Sequence, residues 1–206
     1  MERLAAFISG FFHPSLLVVY LALMAFWLQP IELLYYPPTL VLMILAEVFL
    51  IGSLLPTLAV ALLVRLKLVG TFKIEERSQR HLPYLIQALC LAVLVFIFRS
   101  MQLANLLYMS VTGAMLAVLF AWFINKHWKI SAHAVGMGGL VGFVWSMQYT
   151  AQREVFWPIL ICLIFAGLTG SARVALKAHS PIQVFAGFGL GLLCMIFSLF
   201  PYWLKI

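Results

Sequence analysis

SARVALKAHSPIQVFAGFGLGLLCMIFSLFPYWL, residues 171–204, holds Arg173, Lys177 and His179 in its first nine positions and then no charge from Pro181 to Leu204. That uncharged run exceeds the roughly 20 apolar residues needed to cross a bilayer core. Ser180-Pro181 reads as a helix start, with serine as N-cap and proline at the first helical position, where its missing N–H costs nothing. A short polar island feeding straight into a membrane span is the pattern that organises the chain. It predicts an all-α, polytopic helical bundle.

Outward from that stretch, apolar segments fall at about 5–29, 39–66, 84–100, 103–125, 134–151 and 155–170, ahead of the last at 181–204. The third and sixth are short, so six to seven spans are expected. Pro30, Pro37–Pro38, Pro83, Trp128 and Gly170-Ser171 punctuate the joins. No stretch has the composition of a soluble domain or a long linker, which leaves residues 1–206 as a single integral membrane domain. With 65% hydrophobic and 9% charged residues and a mean hydropathy of +1.10, the chain is far from the quarter-charged average of soluble domains. Its net charge of +7 sits in loops between spans, which suits headgroups, topology or a phosphorylated substrate and not nucleic acid. Cys90, Cys162 and Cys194 lie in apolar runs without paired spacing and read as buried small hydrophobes. No charged leader or A-x-A site marks the N-terminus as a cleaved signal, so the first apolar stretch is expected to stay as a span.

Three islands carry the polar chemistry: Lys73–Pro83 (KIEERSQRHLP), Lys129–Gly136 (KISAHAVG) and Ser171–Gln183 (SARVALKAHSPIQ). Seven spans put two crossings between successive islands, so all three fall on one face. That face collects Arg3, Arg65, Lys67, Lys73, Arg77, Arg80, Lys126, Lys129, Arg173 and Lys177, against Arg99, Arg153 and Lys205 on the other. The positive-inside rule then points the islands to the cytoplasm, and the bias persists when the phosphate-binding candidates are set aside.

His179 sits just outside a helix N-terminus, Gln183 lies four residues on, and Arg173 six residues back, in what reads as a connecting turn. Orphan amides and the dipole at such an end favour an anion. A neutral imidazole there is placed to attack phosphorus, with the arginine neutralising equatorial oxygens. The second island repeats the arrangement, with Ser131 as N-cap and His133 in the first helical turn, placed to donate a proton to a leaving alkoxide. Small-xxx-small spacings at Gly138/Gly142 and Gly187/Gly191 predict that these two helices pack closely and bring His133 and His179 to one pocket. His13, His81 and His127 receive no role. Glu47, inside a span, is expected to pair with a neighbouring helix.

The islands resemble the three-part signature of the phosphatidic acid phosphatase type 2 superfamily, K-x6-R-P, P-S-G-H and S-R-x5-H-x3-D, which lipid phosphatases share with vanadium haloperoxidases. Lys73-x6-Arg80 stands for the first part, Ile130-Ser131-Ala132-His133 for the second, and Ser171, Arg173, His179 and Gln183 for the third. The resemblance implies His179 as nucleophile and His133 as general acid. It implies phosphate contacts from Lys73, Arg80, Arg173, Ser131 and the backbone near Ala132, with Arg77 as an alternative to Arg80. No metal or other cofactor is implied.

The departures are His81 for proline after Arg80, isoleucine for proline before Ser131, alanine for glycine at 132, and Gln183 for the aspartate that orients the nucleophile. The chain holds no aspartate, and Glu75 and Glu76 are the acids within reach. The two spans between the first and second islands are an unusual addition. The implied activity is metal-independent hydrolysis of a phosphomonoester or diphosphate lipid, such as phosphatidic acid, phosphatidylglycerophosphate or a polyprenyl (di)phosphate, through a phosphohistidine. Short bacterial members share this look, which implies a bacterial inner membrane. The alternatives are a weak or inactive relative that binds phospholipid headgroups, favoured by Gln183, and an anionic-lipid transporter, suggested by Glu47 and the extra spans.

Overall fold

The computed structural model describes residues 2–28, 30, 33–70, 76–149, 151 and 153–203. Lys73 and Glu75 lie outside the described residues. Among them run nine α-helices: α1 (Glu2–Phe11), α2 (Pro14–Leu28), α3 (Pro38–Phe49), α4 (Leu55–Arg65), α5 (His81–Ser100), α6 (Asn105–Asn125), α7 (Ala132–Ser146), α8 (Phe156–Ala175) and α9 (Pro181–Trp203). α3 and α4 form one 28-residue span through a π-helical turn at Leu50–Leu54. The wider turn leaves carbonyls for side chains: Gln87 donates to the Gly52 oxygen (3.0 Å) and Thr57 to that of Ser53 (2.7 Å).

Five helices are long and apolar enough to cross a membrane, and the α1–α2 pair, bent by 56°, makes a sixth candidate. The chain is therefore a polytopic membrane bundle. Its lipid-facing residues include Leu89, Phe96, Phe185 and Phe197, all strongly exposed, a surface that water would not tolerate.

Several boundaries differ from those the sequence predicts. The short helix is α7, not the third or sixth segment. Pro83 falls in the first turn of α5, where a missing N–H is harmless, so that helix starts at His81 and reaches 20 residues. α8 runs through Gly170 and Ser171, and the missing Cβ at Gly170 leaves room for Val184 of α9. Arg173 consequently belongs to the last turn of α8 and not to a connecting turn. Pro14 breaks the first apolar segment after Phe11. Glu47 does not gain the expected partner: its Oε2 finds no hydrogen bond among the described residues. The three cysteines are free and buried, as their apolar surroundings predict.

Ile44, Leu94, Leu106, Phe143 and Leu199 form a fully buried core, with α7 the most enclosed helix. It packs on α9 as the glycine spacing predicts. A Cβ added at Gly138 would collide with the Phe188 carbonyl, and one at Gly191 with that of Val135. Glycine thus allows backbone-to-backbone contact, which gathers dispersion energy without any side chain between the helices. From α5 onward consecutive helices run up and down, so the starts of α5, α7 and α9 share a face with the ends of α6 and α8.

Candidate active site

The spacing between Arg173 and His179 is set by how α8 ends. Lys177 adopts a left-handed φ of 54°. Its amide donates to the Val174 carbonyl (2.9 Å), and those of Ala178 (3.1 Å) and His179 (3.3 Å) donate to the Arg173 carbonyl. This is a Schellman cap, and it fixes the nucleophile candidate four residues beyond the last residue of α8, Ala175. α9 then begins at Pro181, with the Gln183 side chain turned back in half of a capping box. Gln183 Oε1 accepts from the Ser180 amide (3.3 Å) and lies 3.0 Å from His179 Nδ1.

The converging N–H groups identify the imidazole tautomer. The Ser180 amide can only donate, so the Gln183 atom facing it is oxygen, and the ring must donate to that oxygen from Nδ1. Nε2 is left with its lone pair, which faces Arg80 Nη1 at 3.4 Å. Arg80 also donates to the Ile130 carbonyl (3.3 Å), tying the first island to the second and third. His179 is 6% exposed and Arg80 8%. Burial, then Arg80, with Arg173 and Lys129 adding to it, pushes the His179 pKa from 6.5 down to about 3, against the opposing Gln183 bond. The ring is neutral at physiological pH, with its free nitrogen among cations.

His133 enters from the start of α7, where Ser131 is the N-cap and its Oγ accepts from the Ala134 amide (3.4 Å). The Ser131 amide reaches the Gln183 carbonyl (3.4 Å), so the two histidine-bearing helix starts are joined directly. Ala132 is the first residue of α7, where helix amides have no intrahelical acceptor. His133 Nε2 is 3.1 Å from the Ser9 carbonyl of α1, and Arg173 Nη1 donates to Ser9 Oγ at 3.3 Å. The Arg173 Nε–H is buried without a hydrogen-bond partner among the described residues.

The structure thus gathers His179, Gln183, Arg80, Arg173, His133, Ser131 and Ala132 at one end of the bundle. Arg77 stands apart: it is exposed, its guanidinium donates to the His127 carbonyl, and its own carbonyl accepts from Asn125 Nδ2 (3.0 Å). Glu76 accepts from Gln79 (2.9 Å). His81 and His127 pack edge-on against Trp122 and Phe123, as interfacial residues do. Two site neighbours escape sequence reasoning, Ser9 and His13, whereas Lys129 opens the second island and adds to the field at His179. The signal for Ser9 and His13 is the breaker series Ser9-Gly10 and His13-Pro14 inside an apolar stretch, which ends one helix and starts another.

Residues 125–205 match the family model of the PAP2 superfamily. No curated protein and no solved structure matches the chain. The PAP2 match agrees with the resemblance drawn from the islands and supports a phosphatase-type function. It takes in α7, α8 and α9, and with them His133, Arg173, His179 and Gln183. Arg80, Ser9 and His13 are supplied to the same site by the chain ahead of the PAP2 segment.

Proposed function

We propose that this protein is a membrane lipid phosphatase acting on a phosphomonoester or diphosphate lipid. The observation that carries the reading is the His179 ring, held with its proton on Nδ1 and its lone pair beside Arg80. A phosphoryl group at Nε2 would meet the guanidinium of Arg80 and the Nε–H of Arg173, which has no partner among the described residues, and its oxygens would satisfy a buried donor that otherwise costs free energy. His179 Nε2 attacks phosphorus, the bond from phosphorus to the lipid-side oxygen breaks, and His133, entering the step as an imidazolium, delivers a proton to that oxygen and becomes neutral. Water then attacks phosphorus while His133 takes its proton, the P–Nε2 bond breaks to return neutral His179, and inorganic phosphate leaves. The lipid tail remains among the exposed apolar helix faces. The cation excess on this end of the bundle favours a cytoplasmic site.

Gln183 supplies orientation without charge. In a serine protease, replacing the orienting aspartate by asparagine lowers turnover by about 10⁴, because the wrong tautomer results. Here the Ser180 amide holds the amide oxygen toward the ring, so the productive tautomer survives. The missing charge is the one feature favouring a second reading, a headgroup-binding relative without turnover.

Phosphate release from detergent-solubilised phosphatidic acid, phosphatidylglycerophosphate and polyprenyl diphosphate separates the two. Hydrolysis that falls by about 10³ or more in His179→Ala is expected. Headgroup binding with no release in the wild type would establish the second reading.

A further inference from the structure

The first span breaks at Ser9–Pro14, against the site, and nothing in the hydrolase reading uses that break. Irregular backbone at membrane depth persists only where it is buried in protein or lines a polar cavity. We infer that the break in the first span is a positioning device for the two halves of the site, with the Ser9 carbonyl orienting His133 and the Ser9 hydroxyl orienting Arg173. This rests on the hydrolase reading for its catalytic part.

The carbonyl is available because α1 ends there. In a continuing helix the His13 amide would bond to Ser9, but it goes to Gly10 instead (3.2 Å). Ser9 O is therefore one of the unsatisfied acceptors of a helix end, and His133 Nε2–H fills it. With Nε2–H so engaged, Nδ1 is the nitrogen that exchanges a proton: the imidazolium donates from it, and the neutral ring, with its lone pair there, accepts one. The pattern parallels His179, where Nδ1–H is held by Gln183 and Nε2 does the chemistry. Both rings are thus oriented by neutral oxygens, an amide and a backbone carbonyl.

The hydroxyl takes a single donor of Arg173, Nη1. A guanidinium has five N–H donors, so the others stay available to an anion, and the partial negative charge at the end of α1 favours the cation.

The break is pinned in place. Tyr20 donates from its hydroxyl to the Phe11 carbonyl (2.8 Å), and the Phe12 ring packs 5.0 Å from that of Phe165 on α8. The His13 ring sits edge-on to His133 with centroids 5.9 Å apart. It is itself held by Ser15 Oγ (2.8 Å), which Thr57 of α4 reaches in turn (3.2 Å). Such a clamp suits a fixed orienting group and not a flap that must leave.

The test compares wild type, Ser9→Ala and Ser9→Thr, each checked for monodisperse folding in detergent. Two readouts are taken: affinity for inorganic phosphate by calorimetry, and kcat and KM for phosphatidic acid in micelles. Ser9→Ala is expected to weaken phosphate binding and raise KM by about tenfold, the scale of one hydrogen bond to a charged group, and Ser9→Thr to restore both. His13→Ala removes the ring that packs edge-on to His133 and is expected to lower kcat about tenfold with KM little changed, since general acid catalysis depends on alignment. His13→Phe, keeping an aromatic edge, is expected to recover part of it. Phosphate binding that is unchanged or tighter in Ser9→Ala would overturn the inference, tighter binding marking α1 as an obstruction. If the wild type binds phosphate through Ser9 and Arg173 yet releases none from any lipid, the hydrolase reading alone fails.

Discussion

At the scale of single residues, Gln183 stands where the resemblance to the three-part signature implies an aspartate, and it divides two functions that a carboxylate performs together. Orientation of His179 is kept, through Oε1 at 3.0 Å from Nδ1. Stabilisation of an imidazolium is not. Restoring the carboxylate with Gln183→Asp is therefore expected to retain or raise turnover in the phosphate-release assay, and complete loss would show that the amide does something else. The buried ring with its cationic neighbours also sets a pH signature. With the folded pKa at about 3 against 6.5, the unfolded chain takes up a proton between those values that the native ring refuses. Stability contributed at neutral pH is then lost as pH falls from 6.5 toward 3. NMR of His179 in detergent should show a neutral ring at pH 5, and the wild type should lose more of its thermal midpoint between pH 7 and 5 than His179→Gln. A ring titrating near 6.5 would contradict this.

Helix-scale geometry turns side chains into a site. The α7–α9 contact was readable from Gly138/Gly142 and Gly187/Gly191, because a four-residue glycine spacing has one structural use in a membrane helix: close approach. The ends of α5 and α8 were less readable, since Pro83 and Gly170 mark breaks in water-soluble helices but are tolerated here by position or packing. Gly191→Ala places a methyl against the Val135 carbonyl and is expected to destabilise by about 1–3 kcal/mol, the range for overpacked interiors. Thermal unfolding in detergent measures it. Activity should fall with it, because moving α9 carries His179 away from the α7 start, and a variant as stable and active as wild type would mean that the contact does not place the site.

On the scale of the whole molecule, three islands far apart in sequence meet at one end of the bundle through Arg80, which bonds near His179 and at Ile130 together. The counting of spans anticipated that meeting, since an even number of crossings separates the islands. It could not anticipate α1, whose contribution runs through the backbone oxygen and hydroxyl of Ser9, a residue with no motif of its own. Nor did spacing alone decide between Arg77 and Arg80; the fold turns Arg77 to the His127 carbonyl and buries Arg80. The central claim is that His179 becomes the carrier of the phosphoryl group. Incubation with lipid carrying labelled terminal phosphate, an alkaline quench and peptide mapping test it directly. An acid-labile, alkali-stable label on His179 that is absent from His179→Ala is expected, whereas phosphate release continuing in that variant, or label on another residue, would contradict the phosphohistidine.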